Sequence, residues 1–170
     1  PTASTTAALA LGDALAVVLL KIRGFDENDF ARSHPGGTLG KKLLTYVKDV
    51  MRTDERIPMV ASGTSLTDSL LEISQKQLGM VAVVDAAHKV VGVLTDGDVR
   101  RLFEKGVDVR TLKIDDVMSA QPRTISQDVL AVSAVEPMQR HHINQLLVVD
   151  EAQVLIGALN IHDLFAAKVV

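Results

Sequence analysis

Val83-Val84-Asp85 returns as Val148-Val149-Asp150, and Gly92-Val93-Leu94-Thr95-Asp96-Gly97-Asp98 returns as Gly157-Ala158-Leu159-Asn160-Ile161-His162-Asp163, both 65 positions later. Asp49-Val50-Met51 returns as Asp116-Val117-Met118, 67 positions later, so the two copies differ by a two-residue gap near their starts. An internal duplication constrains the fold more than any local pattern, because it divides the chain into units before secondary structure is considered. Each unit spans about 60 residues, a size marginal for burying a core of its own, which predicts that the two pack against each other. A paired small α/β module offers a shared groove, so this part of the chain reads as a sensor rather than a catalyst.

With 47% hydrophobic residues among 170, the chain can fill a core, which excludes disordered and collagen-like classes. The net charge is −3 and the basic residues are scattered, so neither a nucleic-acid stripe nor a membrane-surface patch is present. Without cysteine there are no disulfides and no thiolate metal sites, which fits a reducing, cytoplasmic setting. The apolar stretch from Ala7 to Leu20 contains Gly12 and Asp13 and closes on Lys21; it reads as too short and interrupted to cross a bilayer. It also lacks the cationic start and cleavage site of a signal peptide.

Residues 4 to 23 read as a helix capped by Ser4 or Thr5, with Leu11, Leu15, Val18 and Ile22 on 4-3-4 spacing. Leu9, Ala16, Leu19 and Leu20 cover most of the rest, so the helix is apolar nearly all round and is expected to be buried. Lys21 and Arg23 suit its C-terminal dipole, and Gly24 stops it. Its partner surface is not supplied by the residues around it, so the chain reads as the C-terminal part of a longer protein and as a member of an assembly, a homo-oligomer. Asp26 can cap a short second helix to about Arg32. Ser33-His34-Pro35-Gly36-Gly37-Thr38-Leu39-Gly40 is a loop, and Thr38 can cap a further short helix through Leu43, Leu44 and Val47.

Each repeat then reads as β-α-β-β-α. The first has an extended piece at 57–60, a helix at 66–77, strands at 80–84 and 90–94, and a closing helix from Thr95. The second has the same elements at 123–125, 129–141, 145–149 and 154–159, and its closing helix starts at Asn160.

This unit, with its Val-Met start, Val-Val-Asp hairpin and Gly-x-x-Thr-x-x-Asp ending, resembles the cystathionine-β-synthase (CBS) domain, and the tandem resembles a CBS pair over about residues 47–170. The front segment, with Pro1-Thr2-Ala3-Ser4-Thr5-Thr6, Gly24-Phe25, Phe30 and Ser33-His34-Pro35-Gly36-Gly37-Thr38-Leu39-Gly40, resembles the end of a sugar isomerase (SIS) domain. In that order the two parts are similar to the D-arabinose-5-phosphate isomerases. The resemblance implies an α/β (α+β) chain: a remnant of the SIS domain over 1–40, a linker over 41–48, and CBS units over 49–106 and 113–170 packed as a pseudo-two-fold pair. It also implies a parent enzyme that isomerises ribulose 5-phosphate to arabinose 5-phosphate for the eight-carbon sugar acid Kdo of lipopolysaccharide. No cofactor and no metal are implied. The alternative is a stand-alone CBS-pair sensing module of another enzyme or transporter, but a generic sensor has no reason to carry Ser-His-Pro-Gly-Gly after an apolar helix.

Moving a proton between adjacent carbons needs a group that titrates near neutrality, and histidine suits this. The resemblance places the essential histidine at His34, with Pro35 restricting its backbone and the glycines allowing close approach of a sugar phosphate; on residues alone His34 reads first as a loop histidine capping a turn, and the resemblance reverses that order. The family's lysine and glutamates belong to the part of the isomerase domain upstream of Pro1, so the chain alone is expected to be inactive. Gly36 to Lys42 fails the phosphate-loop pattern at Pro35 and Lys42. Thr95-x-x-Asp98 and Asn160-x-x-Asp163 satisfy a capping box. By the CBS resemblance they also hold a nucleotide or nucleotide-sugar, the Asp taking ribose hydroxyls and the Thr facing phosphate. Arg101 completes the first motif; the second lacks both the Thr and the Arg, which puts a second nucleotide site in doubt. Arg140-His141-His142 ends a helix, with dipole stabilisation or a ligand phosphate as its roles. Asp96-Gly97-Asp98 lacks the further ligands of a calcium loop. Met51, Met80, Met118 and Met138 read as core filling.

Overall fold

Thr2 begins the first helix: its Oγ1 accepts from Thr5 N–H at 3.4 Å, while Thr2 N–H donates to Thr5 Oγ1 at 2.9 Å. The cap therefore lies two or three residues before the expected Ser4 or Thr5. The computed structural model describes residues 2–34 and 37–170; Pro35, expected to restrict the backbone of His34, and Gly36, one of the glycines expected to allow close approach of a sugar phosphate, lie outside the described residues. Helix α1 runs Ala3–Ile22 and closes through Gly24, which takes φ +65° while its N–H bonds Lys21 O. Helices α2 (Glu27–Ser33) and α3 (Thr38–Leu44) pack on each other. Asp26 caps α2, accepting from Asp29 N–H at 2.9 Å. Helix α3 begins at Thr38 itself, with Gly37 O accepting its first bond, from Lys41 N–H.

Within this chain, among the described residues, α1 has no covering surface, and its length differs from the expectation. It is not buried: Leu9, Leu11, Leu15, Val18 and Ile22 are each more than half exposed, because α2 and α3, seven residues apiece, cover each other and not α1. Nor is it too short: 20 residues, with Gly12 and Asp13 carried inside the helix, are long and apolar enough to cross a membrane by length and composition. The core helix of a soluble protein passes the same test.

The chain divides after Leu44. The second unit starts with α4 (Val47–Val50) and then β1 (Met59–Ala61), α5 (Leu66–Lys76), β2 (Met80–Val84), β3 (Val90–Thr95) and α6 (Asp96–Glu104). The second repeat follows with β4 (Thr124–Ser126), α7 (Val135–His141), β5 (Gln145–Val149), β6 (Leu155–Asn160) and α8 (Ile161–Ala166). Each repeat forms a three-stranded sheet, β1-β2-β3 and β4-β5-β6, with the first pair parallel and the second antiparallel. The repeated Val-Val-Asp makes the hairpin. Asp85 Oδ1 accepts from Ala87 and Lys89 N–H, and Asp150 Oδ1 from Ala152 and Val154 N–H, all at 2.8–2.9 Å. This is the carboxylate turn that favours Asp at such corners.

The helix expected over 129–141 differs. Residues Ala131–Ala134 form a 3-10 turn, and α-helix starts only at Val135. Pro137 is the cause: it has no N–H to donate back to Ser133, so it is tolerated only in the first turn of an α-helix.

The two repeats interlock rather than merely touch. Met51-Arg52 leave the first repeat and pair with the second sheet, Arg52 exchanging both backbone bonds with Ala158 at 2.8 and 3.1 Å. Ser119 does the same on the first sheet, exchanging bonds with Val93 at 2.9 and 3.0 Å. The cores follow this exchange. Val47 is fully buried among Leu146, Val148 and Leu164 of the second repeat, and Ile114 among Val81, Val83 and Leu94 of the first. A third cluster joins them, with Met80, Ala82 and Val84 packed against Leu147, Leu155 and Ala158.

Candidate functional site

Because Ser119 is held on β3, the residues after it, Gln121, Pro122 and Arg123, form the wall of a cleft in the first repeat. Its apolar surface comes from both repeats: Met80 and Val93 from β2 and β3, Ile143 and Leu147 from around β5. Gln145 supplies an amide, and the start of α6 supplies Thr95, Asp98 and Arg101. The cavity holds about 230 Å³ and shares Thr95, Arg101, Ile143 and Gln145 with an adjoining groove of about 800 Å³, which Arg100, His141 and His142 also line.

The expected trio is thus brought together. Thr95 caps α6, accepting from Asp98 N–H at 3.3 Å. Asp98 Oδ2 accepts in return from Thr95 N–H at 2.9 Å and Thr95 Oγ1 at 2.6 Å, and its Oδ1 is paired with the Arg101 guanidinium. The capping reading is present in full, and such a cap contributes about 1 kcal/mol. It does not exhaust the carboxylate, which has about four acceptor positions. Asp98 is mostly buried, with 17% of its side chain exposed, whereas Arg101 is 59% exposed and free to turn.

Asn160 and Asp163 occupy the matching positions of the second repeat but are arranged differently. Asn160 caps α8, its Oδ1 accepting from His162 N–H at 2.9 Å, and its buried amide donates to Leu78 O at 3.3 Å. Asp163 Oδ2 accepts from Asn160 N–H, and its Oδ1 pairs with Arg52 at 3.4 Å. The Arg52 guanidinium also donates to Lys76 O at 3.1 Å. Arg52 and Asp163 thus hold each other, and the Asn160 side chain is taken up by Leu78 O and His162 N–H.

His34 belongs to the unit of residues 2–44, where it ends α2. Its N–H donates to Phe30 O and Ala31 O, its ring lies 4.7 Å from that of Phe30, and its side chain is exposed. His142 closes α7 in a left-handed conformation, and Arg140 pairs with Glu136 on its own helix, so only the two histidines of that trio reach the groove.

Ser119, Gln145 and Arg52 were missed in the sequence. A signal existed: Arg52 and Ser119 both follow the repeated Met, so aligning the copies one residue further sets an arginine against a serine.

The CBS domain family matches residues 47–105 and 114–169. A solved structure described as CBSX2 in complex with AMP is 25% identical with a TM-score of 0.64, over 72% of this chain and 95% of that one. An uncharacterized conserved protein from Pyrococcus horikoshii has a TM-score of 0.65 at 21% identity, over 73% of this chain and 92% of that one, a likeness of fold. The arabinose 5-phosphate isomerase KdsD of Pseudomonas aeruginosa is 50% identical over 169 residues, 99% of this chain and 52% of that protein. KdsD of Escherichia coli K12 is 51% identical over 170 residues, all of this chain and 52% of that protein. The chain therefore spans about half the length of the curated relatives it matches.

Proposed function

Since the chain belongs to the CBS domain family, we propose that the cleft of its first repeat binds a nucleotide or nucleotide-sugar. We propose too that this binding regulates an arabinose 5-phosphate isomerase of which the chain forms the closing part. The convergence of Thr95, Asp98 and Arg101 on apolar walls drawn from both repeats carries the first statement. A planar base suits the Met80, Val93, Ile143 and Leu147 walls. A carboxylate with spare acceptor capacity suits a ribose diol, and Arg101 with Arg100 at the mouth suits phosphate. A CBS structure 25% identical to this chain is described with AMP.

The second statement rests on identity of 50–51% running through the front segment as well as the repeats. In the longer protein, which we read as a cytoplasmic homo-oligomer, residues 1–40 would complete the isomerase domain and 41–48 would link it to the repeats. Its substrate would be a pentose phosphate passing between ribulose 5-phosphate and arabinose 5-phosphate, the precursor route to Kdo, and His34 would handle the proton. The chain of 170 residues would be inactive alone, since acid/base work on a sugar needs more than one positioned group.

Titration calorimetry of the chain with AMP, CMP, GMP and UMP, and with a cytidine-linked sugar, tests the site. Asp98→Ala should weaken the bound nucleotide by about tenfold or more, the worth of a hydrogen bond to a charged group. The same variant should lose about 1 kcal/mol of stability as a broken cap. Loss of stability with affinity unchanged would return Thr95 and Asp98 to capping alone.

A further inference from the structure

Ser119 and Arg52 stand at matching points of the two interlocked sheets, each exchanging a pair of backbone bonds with the third residue-matched strand, Val93 and Ala158. The serine leaves the first cleft open. The arginine sends its side chain across the second, one nitrogen to Asp163 Oδ1 at 3.4 Å and another to Lys76 O at 3.1 Å. Both partners are sheltered, with 24% of the Arg52 and 21% of the Asp163 side chain exposed. The remaining depression is an outer one, lined by Arg52, Glu55, Arg56, Lys76 and Asp163, and among its lining residues none is an apolar residue of β2, β5 or β6. Asn160 adds to the closure: where Thr95 turns its hydroxyl to its own helix cap, the Asn160 amide crosses to the carbonyl of Leu78, the residue that matches Ile143 of the open cleft in the repeat.

We propose that Arg52 is a built-in plug: its guanidinium neutralises Asp163 and fills the second cleft, so that the module takes one nucleotide rather than two. The inference rests on the nucleotide reading of the first cleft but makes a separate claim about the second. A guanidinium on a carboxylate is what a cationic occupant would provide, and the pair is stable enough without a ligand because Lys76 O takes a further N–H. A nucleotide would have to displace a guanidinium that, unlike the 59% exposed Arg101, is only 24% exposed and is also held by Lys76 O, leaving that carbonyl without its donor. In this chain Asp163 is therefore a positioning residue for the plug, and it becomes available as a ribose contact only when Arg52 is replaced.

The test is the stoichiometry of the same nucleotide monophosphates, measured by calorimetry on the 170-residue chain, on Arg52→Ser, and on Arg52→Ser with Asn160→Thr, which copies the first cleft. Melting curves confirm that each variant folds; Arg52→Lys, which keeps a cation beside Asp163, serves as the conservative control. The chain should bind one nucleotide, the serine variants two, and Arg52→Lys one. Adding Asp163→Ala to the serine variants should return them to one. Two sites in the unaltered chain, or one site in the unaltered chain and still only one in both serine variants, would overturn the plug. No binding to the unaltered chain but one site in the serine variants would overturn the first-cleft reading and keep the plug; no binding to any of the proteins would overturn both.

Discussion

Met118 lies so close over Gly92 that a β-carbon on the glycine would overlap its sulfur. The arrangement is reciprocal: the same atom on Gly157 would stand 2.6 Å from Met51 Sδ. Each repeat thus presses the methionine of its own lead-in onto the glycine of the other, alongside the strand pairing of Arg52 and Ser119. The two glycines of the duplicated motif are needed for close approach and not for backbone freedom, since neither has a positive φ.

Gly92→Ala should cost about 1–3 kcal/mol, the usual range for overpacking. Gly157→Ala should cost more, because its β-carbon also meets Arg52 O at 3.1 Å, a backbone atom that no rotamer change can move. In urea unfolding, adding Met118→Ala should remove most of the Gly92→Ala penalty, whereas Met51→Ala should only partly relieve Gly157→Ala. An unchanged penalty in the Met118→Ala background would show that the sulfur is not what excludes the side chain.

Ile114→Ala should cost about 2–5 kcal/mol, as expected for emptying a fully buried site. Its effect should appear in the repeat it visits. Hydrogen exchange at Val81 and Val83 should quicken before that at Leu146 and Val148, and Val47→Ala should do the reverse. Equal acceleration of both sheets would mean that the pair opens as a single unit.

The hairpins were legible because short apolar runs end on an aspartate that folds its own turn, and the caps because Thr95 and Asn160 stand three residues before an acid. The exchange of lead-ins was not. A repeat reports that two segments are alike and cannot report that Met51 packs on Gly157, 106 positions away, rather than on Gly92. For the same reason Thr95, Asp98 and Arg101, which sit on one stretch of chain, were found, whereas Ser119 and Gln145, which the other repeat contributes, were not. The second-repeat helix was drawn too long because apolar spacing was read through Pro137. The apolar composition of α1 states that it needs a partner surface, and in this chain none of its residues is buried, in keeping with a partner that the residues around it do not supply.

Asp115 ties the segment between the repeats to the first one. Its carboxylate accepts from Ser62 Oγ and from Gly63 N–H, both at 2.6 Å, and the Ser62 hydroxyl, followed by the Gly63 amide, holds it below the usual carboxylate range. A depressed folded value means that the contribution is fully present above the unfolded value of about 3.9 and is lost as pH falls through the lower folded value. Urea unfolding of the chain and of Asp115→Asn should therefore differ by a constant amount from pH 5 to 7, and the difference should shrink below about pH 4. A gap that stays constant down to pH 3 would remove the carboxylate from this account. Asp115 is exposed, so the effect should be small and should weaken in salt.

His34 is joined to α2 by its backbone and to Phe30 by its ring, so the two roles can be separated. His34→Ala leaves the backbone closure of α2 intact and removes only an exposed imidazole. In a protein of the relatives' full length, it should lower isomerase turnover by about 10²–10⁴-fold with little change in melting temperature, as for loss of a positioned acid or base. Phe30→Ala leaves the imidazole but removes the ring that steadies it; turnover should fall less, with the pH profile retaining the histidine limb that His34→Ala abolishes. Near-normal turnover in His34→Ala would assign the histidine to closing a turn, and equal losses in both variants with unaltered pH profiles would assign it to local packing.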